Sequence, residues 1–154
     1  MLDLAELHGF AIAAKKATYV GNGNRQAASR PGAHDLVFAS GAFSYLDSYV
    51  GGTDFLGQEV IWFHGQPVWA MNYYGRILRA DLIDSTRAAE TLRAALALDG
   101  SEGRLLDTLD WTGPHGHYSI RSAGDIAGFQ GHETIHCGGV LAYELDYHGG
   151  LVKP

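Results

Sequence analysis

FLGQEVIWFHGQPVWAMNYYGRIL (residues 55–78) returns as FQGHETIHCGGVLAYELDYHGGLV (residues 129–152), aligned without a gap at an offset of 74 (129 against 55). Seven of the 24 aligned positions are identical: Phe55/Phe129, Gly57/Gly131, Glu59/Glu133, Ile61/Ile135, Gly65/Gly139, Tyr73/Tyr147 and Gly75/Gly149. Five more are close exchanges, among them Trp69/Tyr143, Met71/Leu145 and Asn72/Asp146. Repetition at a fixed spacing is the first feature to read, because it sets the architecture. Each copy is a pair of strand-like runs around a short turn, His64-Gly65 in the first and Gly138-Gly139 in the second, so each predicts a β-hairpin.

Strand side chains alternate between faces. With two-residue turns and an unbroken register, one face of the first copy carries Val60, Trp62, Pro67, Trp69, Met71 and Tyr73. The second copy puts Thr134, His136, Leu141, Tyr143, Leu145 and Tyr147 there. That face is the expected core. The opposite face then carries Glu59, Asn72 and Tyr74 in one copy and Glu133, Asp146 and His148 in the other, with Arg76 nearby as an anion clamp. Polar groups converging on an otherwise apolar surface suit a small-molecule site; the plainer reading is the wet edge of a sheet. The expected ligand-binding set is therefore Glu59, Asn72, Tyr74, Arg76, Glu133, Asp146 and His148, with both glutamates turned toward a common pocket.

Upstream, residues 2–19 predict an amphipathic helix with Leu4, Leu7, Ala11 and Ala14 inward and Lys15 and Lys16 outward. A polar stretch at 21–34 predicts a long loop, either solvated or closing over a ligand. Residues 34–40 and 43–50 predict a hairpin. A second helix is expected over 85–98, with Ser85 as N-cap and Gly100 as its stop. A loop holding Trp111 and Pro114 follows, then strands near 117–121 and 126–129 lead into the second copy. The expected fold is α+β: antiparallel sheet with two covering helices, in two αβββ-type halves related by a pseudo-twofold axis.

The bulk properties fit one domain spanning residues 1–154. A net charge of −6 and no basic run argue against direct nucleic-acid binding. No apolar run reaches the length of a membrane span, which takes roughly 18 residues. Asp3 and Glu6 break any signal peptide, and a single cysteine, Cys137, fits a reducing compartment. The cytoplasm is the expected location.

His132-Glu133-Thr134-Ile135-His136 spells the zinc-protease pattern HExxH. That pattern works on a helix, where both histidines share a side. Between Gly131 and Gly138 there is no room for one, and in a strand the two histidines stand about 13 Å apart. No metal site is expected from it. Glu133, Asp146 and His148, with His115 or His117 close by, would suit manganese, iron or zinc, but exposed histidines at a strand end are the simpler reading. Cys137 lacks a base on its own face and reads as a buried thiol. Trp62, Trp69, Tyr73 and Tyr147 read as core. No cofactor is indicated.

The segments AAKKATYVGNG, SRPGAHDLVF, FSYLDSYVGGTDFLGQEVIW, PVWAMNYYGRIL and YELDYHGGLV resemble the domain-of-unknown-function 5680 family. The resemblance spans nearly the whole chain. It implies a bacterial origin and kinship with domains found alone or behind an XRE-type helix-turn-helix, and by analogy an effector-binding role; it implies no established activity. The leading functional expectation is thus a small-molecule, effector-type binding domain. The rivals are a hydrolase or isomerase using Glu133 or Glu59 as base and His148 as acid, and an interaction module whose sheet edge pairs with a second copy as a homodimer.

Overall fold

The computed structural model describes residues 1–20 and 24–153, with only the backbone of Val20. Helix α1 spans Leu4–Lys15, capped by Asp3, whose carboxylate accepts from the amide of Ala5 at 2.8 Å. A wider π turn, Lys16–Val20, continues it. Strand β1 (Asn24–Gln26) lies within the expected polar loop, whose first residues, 21–23, fall outside the described set. Strands β2 (His34–Ser40), β3 (Phe43–Gly51), β4 (Phe55–Phe63) and β5 (Gln66–Ile77) follow as a meander.

Helix α2 runs Ser85–Leu96 and is capped by Asp84 rather than Ser85: the Asp84 carboxylate accepts from the Arg87 amide at 2.8 Å. Strands β6 (Thr108–Gly113), β7 (Gly116–Asp125), β8 (Gly128–Cys137) and β9 (Val140–Leu151) complete the chain. The stretch around Trp111 and Pro114, expected as loop, is instead a hairpin formed by β6 and β7. Each helix is therefore followed by at least four strands rather than three. Among the described residues no helix is long and apolar enough to cross a membrane.

The nine strands of the described residues form one antiparallel sheet in the order β1-β2-β3-β4-β5-β9-β8-β7-β6. The two meanders meet at β5 and β9, where Tyr73 pairs with Tyr147. The repeated turns behave as their residues require: His64-Gly65 and Gly138-Gly139 all have positive φ, the geometry that matches the twist of a two-residue hairpin.

The faces differ from the expectation of an unbroken register. In the first hairpin Ile61 pairs with Trp69 but Trp62 pairs with Pro67, leaving Val68 as a bulge. In the second, Ile135 pairs with Tyr143 and His136 with Leu141, leaving Ala142. One extra residue reverses the facing of everything beyond it. Glu59 and Ile61 thus join Met71, Trp69 and Tyr73 on the inner face, and Glu133 and Ile135 join Tyr143, Leu145 and Tyr147. Val60, Trp62, Thr134 and His136 turn to the outer face, where they are only half-buried.

Both helices cover the inner face. Phe10 of α1 stacks on Phe43 with ring centroids 4.9 Å apart, while Leu92, Ala95 and Leu96 of α2 are buried. Leu4 is exposed, and Lys15 is buried, the reverse of both expectations.

Two of the repeated glycines have a packing cause. The ring of Tyr73 lies over Gly57, and that of Tyr147 over Gly131, where any Cβ would collide with the phenol. Gly57→Ala and Gly131→Ala are each expected to destabilise the fold by about 1–3 kcal/mol through overpacking. Gly9→Ala in α1, where the added methyl meets nothing within 4 Å, is expected to stabilise by roughly 0.5–1 kcal/mol. Urea unfolding of the three variants checks the contrast.

Candidate functional site

Burying an ionised side chain is costly unless it is paired and hydrogen-bonded, so the inner face begins with an accounting of its charges. Glu59, 3% exposed, accepts both oxygens' worth of contact from the ammonium of Lys15, at 2.7 and 2.8 Å, and Lys15 is 1% exposed. Glu133 accepts four hydrogen bonds: from Arg104 Nε and Nη2, both at 2.9 Å, and from the hydroxyls of Tyr118 at 2.8 Å and Tyr143 at 2.9 Å. Arg104 packs its guanidinium 4.7 Å from the Tyr19 ring centroid. Burial works against the charge of Arg104, but Glu133, Tyr19 and Tyr143 outweigh it and hold its pKa well above the ordinary value.

Local backbone aims this arginine. Arg104 has φ of 72°, a conformation uncommon for a side-chain-bearing residue. The loop is held there by the Asp107 carboxylate, which accepts from the amides of Glu102 at 2.7 Å and Arg104 at 2.8 Å.

A third carboxyl group lies on the same face. Asp47 of β3 pairs with Glu59 across the strands, where the corresponding partner of Glu133 is Ile120 of β7. Asp47 is 4% exposed and accepts from the Tyr73 hydroxyl at 2.6 Å; it has no cation of its own among the described residues. Burial first, and then the Glu59 charge, raise its pKa to about 7, with the Tyr73 hydroxyl and Lys15 pulling the other way. Burial and Asp47 in turn push the Tyr73 phenol well above its usual range.

Asp47 borders a cavity of about 470 Å³ between α2 and the sheet. Ser85, Ala88, Ala89, Leu92 and Arg93, one face of α2, form its roof. Asp47, Tyr49, Tyr73, Ile77 and Tyr143 supply the sheet side, and Tyr19, Arg25, Leu36 and Phe55 close it around the rim. A mainly apolar hollow with a few converging polar groups is the ordinary form of a small-molecule site.

The seven residues expected to bind ligand do not come together. Glu59 and Glu133 lie on the inner face, committed to Lys15 and Arg104, and neither borders this cavity. Asn72, Tyr74, Arg76, Asp146 and His148 lie exposed on the outer face. There they engage neighbours: Arg76 donates to Glu144 at 2.6 Å, Asp146 meets His132 at 2.7 Å, and Asn72 accepts from Gln58 at 2.9 Å. The two bulges are the reason for the separation. They also part Glu133 from Asp146 and His148, so those three cannot share a metal; among the described residues no three His, Cys, Asp or Glu side chains gather into a metal site. His132 to His136 lie in β8, in extended backbone. Cys137 is half-buried, its thiol donating to the His115 carbonyl at 3.2 Å.

Neither Arg104 nor Asp47 is named by the sequence reading, which turns Lys15 outward. Two of the three left a trace. Asp47 interrupts the alternating aromatics Phe43, Tyr45 and Tyr49, and Lys15 falls one helical step beyond Leu7 and Ala11 on their own stripe. Arg104 left none, because its aim depends on a loop conformation.

The chain belongs to the family described as Domain of unknown function (DUF5680), whose model matches residues 47–152, more than half of its length. The match takes in Asp47, Tyr73, Arg104 and Glu133. No curated protein and no solved structure matched the chain.

Lys15→Met is expected to cost about 3–5 kcal/mol by leaving Glu59 buried and unpaired, and Lys15→Met with Glu59→Leu to recover most of that loss; chemical denaturation measures both. Asp47 gives a pH signature of its own. Its folded pKa of about 7 stands above the ordinary 3.8, so the native state holds the extra proton between those values. The resulting stability is fully present below about pH 4 and is lost as pH rises to 7, by about 4 kcal/mol at most. Asp47→Asn is expected to abolish that component, so the stability difference between variant and wild type should widen in the variant's favour as urea melts move from pH 4 to pH 8.

Proposed function

We propose that this family member is a small-molecule, effector-type binding domain whose ligand occupies the cavity between α2 and the sheet, with Asp47 and Tyr73 as its recognition pair. One observation carries the reading. Of the three neighbouring carboxyl groups on the inner face, Glu59 and Glu133 each have a cation, while Asp47 has only the Tyr73 hydroxyl and borders open space. A buried carboxyl left without a counter-ion and placed against a cavity is arranged to meet something from outside. A ligand there would bridge α2 and the sheet, so occupancy would act on how the helix docks.

The same reading treats the chain as two halves related by an approximate twofold axis near the Tyr73–Tyr147 pair. Support comes from the offset of 74, which makes those tyrosines equivalent and places a bulge at Val68 and at Ala142. Under that relation Asp47 is one point at which the halves differ, since Ile120 takes its place. The cytoplasm remains the proposed location.

A second reading, a hydrolase or isomerase, draws on the same group. A carboxyl with a pKa near neutrality, hydrogen-bonded to a tyrosine in a cavity, is suited to general acid–base work. Glu133 and His148 cannot form that pair, because they stand on opposite faces.

A thermal-shift screen of metabolites tests the binding reading. A ligand at a hundredfold excess over its Kd stabilises by about 2.7 kcal/mol. Ala89→Phe, which fills the cavity from the half-buried side of α2, is expected to remove the shift while leaving a cooperative melt. An unmoved wild type across the screen, or an Ala89→Phe variant that responds as the wild type does, would defeat the assignment.

A further inference from the structure

The charges around the cavity do not balance, and the imbalance has a sign. Of the 11 lysines and arginines in the chain, Lys15, Arg76, Arg79, Arg87, Arg104 and Arg121 are in ion pairs and Arg30 donates to Ser48. The other four, Lys16, Arg25, Arg93 and Lys153, have no such partner among the described residues. Two of those four, Arg25 and Arg93, line this one cavity. They reach it from separate elements, Arg25 from the edge strand β1 and Arg93 from the last turn of α2.

The acids that might have neutralised them are already occupied. Glu59 and Glu133 are consumed by Lys15 and Arg104, and Asp47 is held toward its neutral form by burial. A chain with a net charge of −6 therefore keeps a cavity whose uncompensated charge is positive. Between the arginines and the floor the walls are aromatic and aliphatic, chiefly Phe55, Tyr49, Ile77 and Leu92.

Resting on the cavity reading above, we propose that the ligand is a small organic carboxylate carried on an apolar, ring-bearing body, its anion taken by Arg93 and Arg25 and its polar substituent by Asp47 and Tyr73. An arginine fork matches a carboxylate in two parallel hydrogen bonds, which a lysine or a hydroxyl cannot supply. Asp47, able to donate or accept, suits a hydroxyl at the other end of the ligand.

Three probes of one skeleton separate the terms: 4-hydroxyphenylacetate, its neutral amide 4-hydroxyphenylacetamide, and the cation tyramine. Titration calorimetry on the full chain should give saturable binding of the acid and at least about tenfold weaker binding of the amide and the amine, the loss expected when a charge-assisted pair is removed. Arg93→Gln and Arg25→Gln should each weaken the acid and leave the amide unchanged, with thermal melts confirming that both variants fold. Tyramine binding as tightly as the acid overturns the proposal, as does no saturation by any of the three, or full acid affinity in the double arginine variant. Ala89→Phe separates the two levels of failure. If the charge preference fails but Ala89→Phe still blocks whatever binds, the cavity stands and only its ligand class is wrong; if Ala89→Phe binds the acid unchanged, both fall together.

Discussion

Two unpaired residues govern this molecule. Val68 and Ala142 each stand as the extra residue in a hairpin, and each bulge offers its carbonyl to the strand it faces across the middle of the sheet. Val152 donates its amide to Val68 at 3.0 Å, and Leu78 donates to Ala142 at 2.8 Å. The bulges therefore join the meander before α2 to the meander after it, besides turning the outer ends of both hairpins over. Without them Glu59 and Glu133 would stand on the open face in water. With them, two carboxylates are carried under the helices, and each must be met by a cation.

That requirement shapes the layer above. Lys15 comes from the last turn of α1 and Arg104 from a loop bent into an uncommon backbone conformation; each reaches inward to one glutamate. Phenols from Tyr118 and Tyr143 supply the remaining hydrogen bonds around Glu133, so the charge is fully solvated by protein. Asp47 has no comparable arrangement, and beside it the packing between α2 and the sheet opens into the cavity. The hollow is thus bounded by Arg104, which is paired, by Arg25 and Arg93, which have no acid partner among the described residues, and by Asp47, which has no cation.

Much of the architecture was legible in the residues. The helices announce themselves by apolar spacing, the repeated hairpins by alternation and by His64-Gly65 and Gly138-Gly139. The choice of inner face was not legible, because a bulge changes side-chain facing without changing composition: Val68 and Ala142 look like any other strand residues. The charge of Lys15 points it to water, although its helical position places it on the Leu7–Ala11 stripe. Residues 108–113 were hidden as a strand by Pro114, which belongs to the turn that follows. The site suffered most, since it depends on which of several carboxyl groups lacks a counter-ion. That is a property of three-dimensional neighbours and cannot be read from one chain position.

The strand order has a consequence for how the chain reaches this state. Every neighbour in the sheet is also a neighbour in sequence except at the β5–β9 joint, and each buried charge pair ties a meander to the helix or loop that precedes it in the chain. Local pairings carry a small loop-closure cost and form early, whereas distant ones wait. Each meander can assemble its own hairpins from nearby segments, and joining the two ribbons along Trp69–Ile77 is the pairing with the longest loop to close. Substitutions at that joint should therefore change the folding rate more than equal losses of stability elsewhere in the sheet.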